Sequence, residues 1–231
     1  AQAQTTQPTG EPVLSGEAAE KTPTSQPAAP AFFRLDYSGD FLSSPAMTGD
    51  WGGLRSELAN KGVSFNVEVL QFTQGNAHGG KDTNHAISYS GSADYTLQLD
   101  TGRMGLWPGG YVKVRGETEF GRGVGREVGA VSAPNFDTLF PAPDGCGLTT
   151  LTEAWYMQFL SEKRYVLGGK IDPTRLPGGN VFAGDVYTQF MNTSLWQNPV
   201  SFSTVPYTSM TAGVGYIPTK WFDGATLVID S

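Results

Sequence analysis

The chain has 231 residues with a formal net charge of −7, and it contains 30 glycines, 12% aromatic and 16% charged residues. The acidic balance argues against nucleic acid as a partner, because binding phosphate groups needs a basic surface. The single cysteine, Cys146, excludes an internal disulfide. No apolar run approaches the length of a transmembrane helix, which excludes a helical membrane protein.

The beginning of the chain predicts a leader followed by a short helical segment. Residues 1–31 are rich in Pro, Thr, Gln, Ala and Glu without apolar periodicity, which predicts a disordered leader. Its first residues, Ala1 to Gln4, are what cleavage of an export signal could leave behind. Residues 32–62 form the next segment, and they contain the one clear helix pattern.

That helix has the usual start and stop signals. Asp50 is the predicted N-cap, Lys61 lies in the last turn, and Gly62 follows the end. One face carries the apolar side chains of Trp51, Leu54 and Leu58.

Residues 63–231 read as seven strands. The longest alternation runs from Ser88 to Asp100, which is thirteen residues without a break in phase. Soluble strands are typically about five or six residues long, whereas a tilted strand needs roughly nine to eleven to cross a membrane. The predicted strands are Val63 to Thr73, Ser88 to Asp100, Tyr111 to Phe120, Leu148 to Phe159, Tyr165 to Asp172, Tyr207 to Tyr216, and a last one from Ala225.

The third predicted strand separates charge from apolar groups. Val112, Val114, Gly116, Thr118 and Phe120 fall on one face, and the other face carries four consecutive charges of both signs, Lys113, Arg115, Glu117 and Glu119. This pattern is typical of a wall with water on one side and lipid on the other.

The connections between the strands alternate in length. They are short after the second, fourth and sixth strands and long after the third and fifth, as an up-and-down barrel with short periplasmic turns requires. The predicted fold class is therefore all-β, an antiparallel transmembrane β-barrel of the porin type. Because seven is too few strands to close such a barrel, we expect an N-terminal fragment of one. Aromatic residues at strand ends predict interfacial girdles: Tyr89, Trp107, Tyr111, Tyr165, Tyr216 and Trp221.

Several motifs resemble a known family. The run from Thr48 to Arg55, continued by Leu58 to Val63, resembles the opening signature of the OprB-type carbohydrate-selective porins. Glu153 to Trp155 and Gly168 to Asp172 resemble strand motifs of the same family. The resemblance implies a barrel in the outer membrane of Gram-negative bacteria that passes glucose-like sugars by diffusion. It implies sugars and outer-membrane lipid as partners, no cofactor and no enzymatic activity, and it allows association into a homo-oligomer.

A sugar path needs hydrogen-bonding groups for hydroxyls and flat apolar surfaces for the sugar ring. The alternation turns a set of charged and aromatic residues inward, and long loops that fold into the pore add two more. The expected pore-lining residues are Lys113, Arg115, Glu117, Glu119, Arg122, Glu153, Trp155, Lys170 and Asp172, with Asp185 and Trp196 in the loop constriction.

Other functions stay open at this point. A non-selective general porin and a secreted β-sandwich that binds carbohydrate both fit parts of the pattern. Paired acids can cleave glycosides, but Lys113 and Arg115 should keep Glu117 and Glu119 ionised, which disfavours a hydrolase. His78, Asp82 and His85 share a loop, where solvated side chains are a more common outcome than a metal site.

Overall fold

A computed structural model describes residues 33–40, 44, 46–83, 87–129, 132–139, 147–173, 189–196, 206–219 and 222–230. The predicted leader, Cys146, His85, Asp185 and Trp221 lie outside these residues. The strands are β1 (Val63–Gly75), β2 (Ile87–Asp100), β3 (Gly110–Gly121), β4 (Thr149–Ser161), β5 (Arg164–Ile171), β6 (Ser209–Thr219) and β7 (Phe222–Ile229). A 3₁₀ turn, Trp51–Gly53, leads into α1 (Leu54–Asn60), and two single-turn helices follow later, α2 (Gly125–Val128) and α3 (Thr193–Trp196).

The described strands form one antiparallel sheet in sequence order, β1 to β7. A sandwich would instead divide its strands between two packed sheets. The connections 101–109, 162–163 and 220–221 are short, and they share one end of the sheet. The connections 122–148 and 172–208 are long and share the other end, so the predicted alternation is confirmed. No helix in the described ranges has the length and hydrophobicity to cross a membrane.

The two faces of the sheet differ in chemistry. The face that carries Arg115 is called the inner face here, and the face that carries Val114 is called the outer face. On β2 the inner face buries its polar groups except for the half-buried Thr96, whereas the apolar side chains of Phe65, Val67 and Val69 on the outer face of β1 are exposed. The pattern is the reverse of that in a soluble sheet, where the apolar face is the buried one. The buried polar residues of β2 are Ser88, Ser90, Ser92, Asp94, Gln98 and Asp100.

The buried face of the helix is not its apolar face. Trp51, Leu54 and Leu58 are 47%, 50% and 37% exposed. The buried residues of α1 are instead Arg55 and Ala59. The reason lies in the sheet, because the inner face of β1 that receives the helix is polar and selects a hydrogen-bonding side chain.

Asp50 precedes the 3₁₀ turn, and Gly53 rather than Asp50 occupies the N-cap position of α1. The Asp50 Oδ1 accepts hydrogen bonds from the backbone N–H and the hydroxyl of Ser56, at 2.7 and 2.8 Å. The predicted N-cap position is therefore wrong, because Gly52 and Gly53, with φ of 70° and 95°, turn the chain between Asp50 and α1. The Asp50 carboxylate nevertheless satisfies a free N–H in the first turn of α1. The predicted stop is confirmed, since Gly62 has φ of 92° just past the end of α1.

The predicted aromatic girdle needs a correction at two positions. Tyr89, Trp107 and Tyr216 are about half exposed, but Tyr111 and Tyr165 are only 1% and 8% exposed. Tyr111 lies two residues from Lys113 and so shares the inner face. Phe159 joins the two buried tyrosines into one inner-face cluster, with ring centroids 5.9 Å from Tyr111 and 5.5 Å from Tyr165.

Candidate functional site

A single guanidinium organises the inner face. Arg115 lies on β3, and its Nε and Nη2 donate to Asp94 Oδ1 on β2 at 3.0 and 2.7 Å. Nη2 also donates to Glu117 Oε2 at 3.0 Å, and Nη1 donates to Glu153 Oε1 on β4 at 3.4 Å. Asp172, just after β5, places its Oδ2 3.6 Å from Nη1. These five residues are called the Arg115 cluster.

A bulge aligns β4 with this cluster. The pairing of β3 with β4 shifts its register between Arg115 and Gly116, so that Arg115 lies opposite Glu153 and Gly116 opposite Leu151. The extra residue is Thr152, which is fully buried and donates its hydroxyl to the Arg115 carbonyl oxygen at 3.2 Å. The bulge therefore sets which residues of β4 face inward beside Arg115.

Lys113 and Trp155 extend the cluster toward the short-turn end. The Lys113 Nζ donates to both carboxylate oxygens of Glu153, at 3.0 and 2.9 Å. The Trp155 Nε1 donates to Glu153 Oε2 at 2.8 Å, and the Lys113 Nζ lies 5.9 Å from the centroid of the Trp155 ring. With Lys113 included, the site has four carboxylates and two cations, so both signs are present with an excess of negative charge.

Accessibility divides the predicted pore residues. The Arg115 side chain is 4% exposed and that of Lys113 is 21% exposed. Glu117, Glu119 and Glu153 are buried as well. Lys113 and the half-buried Trp155 are therefore the accessible groups, whereas the Arg115 cluster itself is enclosed.

Lys170 points away from the cluster. It lies opposite Ala154 on β4 and Met210 on β6, which both belong to the outer face, and its Nζ donates to the Leu151 carbonyl oxygen at 2.6 Å. The prediction that Lys170 points inward is wrong, because its neighbour Gly169 takes the inward position opposite buried Thr211.

Asp172 does lie on the inner side, although strict alternation from Lys170 would place it outside. β5 ends at Ile171, one residue earlier than predicted, so Asp172 is released from the pleat and reaches Arg115. Arg122 lies beyond β3 at the long-loop end of the sheet, where its largely exposed side chain binds Glu127 of α2.

Two residues of the site are absent from the set predicted from the sequence. Asp94 lies on the polar face of the longest alternating strand, so its position was readable from the pattern. Tyr207 gave no signal, because it is 90 residues away from its partner Glu117, whose Oε2 accepts the tyrosine hydroxyl at 2.7 Å. Burial, and then the nearby Glu117 and Asp172 carboxylates, raise the pKa of the Tyr207 phenol, so the hydroxyl keeps the proton that it donates.

The two long connections meet each other and the sheet. The Phe136 N–H donates to the Met191 carbonyl oxygen at 2.8 Å, and the Thr193 N–H donates to that of Ala133 at 3.1 Å. The fully buried Asn135 donates its amide to Gln74 Oε1 on β1 at 3.1 Å. Parts of both connections are therefore joined near the long-loop end of β1.

The remaining predicted residues belong to connections. Trp196 ends α3, and its side chain is outside the described part of the chain, as is the whole of Asp185. Asp82 uses its backbone N–H to bind the Glu127 carbonyl oxygen at 3.0 Å. Within the described ranges, no three His, Cys, Asp or Glu side chains are placed to hold a metal ion.

Comparison with known proteins gives one family and one fold. A family model described as carbohydrate-selective porin, OprB family, matches residues 84–226. No curated protein matches the chain. The high-pH structure of Pseudomonas putida OprB is similar with a TM-score of 0.66 and 22% identity, over 79% of this chain and 44% of that one. The low-pH structure of the same protein has a TM-score of 0.49 and 19% identity, over 80% of this chain and 50% of that one.

The likeness to the high-pH structure confirms the predicted porin-type fold class. The chain spans less than half the length of that solved porin.

Proposed function

The chain belongs to the OprB family of carbohydrate-selective porins, and from this premise we propose that the full-length protein is an outer-membrane porin through which sugars diffuse. Within it, residues 63–231 supply the first strands of the barrel, residues 32–62 a segment at the short-turn end, and residues 1–31 a leader. Transport of this kind needs no chemical step and no cofactor.

One observation carries this proposal, which is the division of charge between the two faces of the sheet. Phe65, Val67 and Val69 expose their side chains on the outer face, while Arg115 and Glu117 are buried on the inner face. Exposed apolar side chains are stable against lipid, and charged side chains are stable on the side of a polar lumen. Sugars and outer-membrane lipid are thus the partners that the proposal names.

The site for sugar is the accessible end of the cluster. Lys113 offers an accessible hydrogen-bond donor held in place by Glu153, and Trp155 offers a flat apolar ring, which together match the hydroxyls and faces of a sugar. The pairing of Lys113 with Glu153 leaves little net charge to trap an ion at that position. Such weak and mixed contacts allow a solute to leave as readily as it enters.

Planar bilayers with the full-length protein provide the test. Glucose should reduce the ion current through the wild-type pore, and Trp155→Ala should weaken this block severalfold while single-channel conductance stays measurable. Trp107→Ala is the matched control, because Trp107 donates its indole N–H to Tyr156 on the outer face and lies away from the lumen. A correctly inserted wild-type protein that passes no monosaccharide in liposome swelling would defeat the proposal.

A non-selective porin is the second candidate. It is favoured by the burial of Arg115 and Glu117, which leaves few charged groups free to recognise a solute. Under this candidate, glucose would pass without blocking the current, and Trp155→Ala would alter only the conductance for ions.

A further inference from the structure

A groove on the outer face, near the short-turn end of the sheet, combines one cation with apolar side chains. Its volume is about 520 Å³, which is within the range of sites for small molecules. The residues that define it here as the Arg164 groove lie at outer-face positions of β4 to β7, and all except the half-buried Val166 are exposed. They are Leu160, Arg164, Val166, Val214, Tyr216 and Thr226.

The pairing of the strands produces this composition. Arg164 on β5 lies opposite Tyr216 on β6, and Tyr216 lies opposite Gly224 on β7. Gly224 also lines the groove but has no side chain, which leaves room beside the Tyr216 ring. The next outer-face row, nearer the long-loop end, consists of Val166, Val214 and Thr226.

Arg164 supplies the charge of the groove. None of the carboxylates in the described ranges forms an ion pair with it, whereas Arg103, at the same end of the sheet, is paired with Asp100 at 3.3 Å. Lys170, at the other end of β5, donates to the Leu151 carbonyl oxygen at 2.6 Å. A cation on a lipid-facing surface is most stable at the level of the headgroups, where phosphate groups are available. Arg164 lies beside the short turn 162–163, which corresponds to that level.

The two polar groups of the groove match the phosphodiester of a lipid. The planar guanidinium of Arg164 can donate two parallel hydrogen bonds to phosphate oxygens. Side chains directly opposite each other on paired strands have Cβ atoms about 4.5–5.5 Å apart, so the Tyr216 hydroxyl can donate to the same phosphate. Val166 and Val214 lie on the hydrocarbon side of these donors, where they can contact an acyl chain. A molecule with an anionic head and an apolar tail therefore matches both parts of the groove.

We propose that the Arg164 groove binds a phospholipid of the periplasmic leaflet, with its phosphate on Arg164 and Tyr216 and an acyl chain over Val166 and Val214. This inference rests on the outer-membrane location in the proposed function, but the groove takes no part in the passage of sugar. The bound lipid contacts β5 and β6 together, so we expect it to stabilise the folded barrel.

Native mass spectrometry of the full-length protein with added phosphatidylglycerol counts the lipids that the protein retains. Arg164→Gln removes the charge and should lower the fraction that retains one lipid about fivefold. Val214→Trp keeps Arg164 but fills the groove, and it should lower that fraction as well. Arg103→Gln is the control and should match wild type, because Asp100 already neutralises this cation at the same end of the sheet.

The outcomes distinguish this site from the transport function. A wild-type protein that inserts and retains lipid but passes no sugar refutes the transport function and supports the groove. Equal retention in wild type and in Arg164→Gln or Val214→Trp overturns the lipid site alone, as does displacement of the lipid by inorganic phosphate. Wild-type dimers that dissociate in both variants would assign the groove to contact between two copies of the chain, which would also overturn the lipid site.

Discussion

Arg115 serves several carboxylates at once because its guanidinium is planar and carries donors on three nitrogens. Asp94 receives two of these hydrogen bonds, and Glu117 and Glu153 receive one each. With side-chain exposures of 4% or less, none of the four groups has water to replace a lost partner. Arg115 is therefore essential to the arrangement of the carboxylates on the inner face, whether or not it also contacts the solute.

Arg115→Lys should be strongly destabilising although it keeps the charge. A lysine ammonium cannot reach the same carboxylates with fixed geometry, and breaking buried ion pairs costs about 3–5 kcal/mol. We expect the free energy of unfolding of the full-length protein, measured with urea in lipid vesicles, to fall by about that amount. The more exposed Lys113 provides the comparison, and a Lys113→Gln cost as large as that of Arg115→Lys would contradict this view.

At the scale of elements, the segment before β1 is docked by polar contacts. The Tyr37 hydroxyl lies 2.7 Å from the Ser64 hydroxyl, and Arg55 donates to Asn66 Oδ1 at 2.6 Å. The Arg55 guanidinium also lies over the rings of Tyr37 and Trp51, 4.1 and 5.2 Å from their centroids. The helix α1 is too short to be stable alone, so these contacts with β1 keep it in place.

Arg55→Lys should release this segment from the sheet. The variant loses the planar stacking and the second hydrogen bond, which donates to the Phe65 carbonyl oxygen, together worth about 1–3 kcal/mol. We expect proteolysis within 33–61 to become faster while the barrel stays folded. The exposed Arg34 gives the matched control, since Arg34→Lys should leave the cleavage rate unchanged.

Two strand glycines test how closely the elements pack. A Cβ on Gly215 would collide with the ring of the buried Tyr165 directly opposite it, whereas one on Gly168 would meet only a carbonyl oxygen of Thr211 at 3.8 Å. Gly215→Ala should therefore lower the unfolding free energy by about 1–3 kcal/mol through overpacking. Gly168→Ala should be neutral or slightly stabilising, and equal effects in urea titrations would show that Tyr165 moves aside freely.

At the scale of the whole molecule, the proposed function makes the sheet a boundary between lipid and an aqueous lumen. Lys113 and Lys170 carry the same charge on strands of the same sheet, but the first is on the inner face and the second on the outer face. A charge in the lumen acts on passing ions, and one on the lipid side does not.

Lys113→Gln should therefore increase the preference of the pore for cations, because it leaves the carboxylates of the wall less compensated. The zero-current potential in a KCl gradient measures this preference. Lys170→Gln should leave that potential at the wild-type value, and a shift as large as that of Lys113→Gln would reject the assignment of the faces.

The local sequence pattern alone determined the seven strands, their antiparallel pairing in sequence order, the alternation of short and long connections, and the ionic face of β3. These features follow from a side-chain period of two and from turn composition, which neighbouring residues set. The inward position of Asp94 could also be predicted, since Asp94 lies in the continuous polar and apolar alternation of β2.

Only the tertiary structure decided which of these residues meet. The bulge at Thr152 and the end of β5 before Asp172 each depend on where a strand pairs with its neighbours, which alternation within one strand does not specify. The polar docking of Arg55 and the contact of Tyr207 with Glu117 join segments far apart in the chain. Such contacts depend on the geometry of the assembled sheet, because the residue pattern within one segment does not specify the distance between segments.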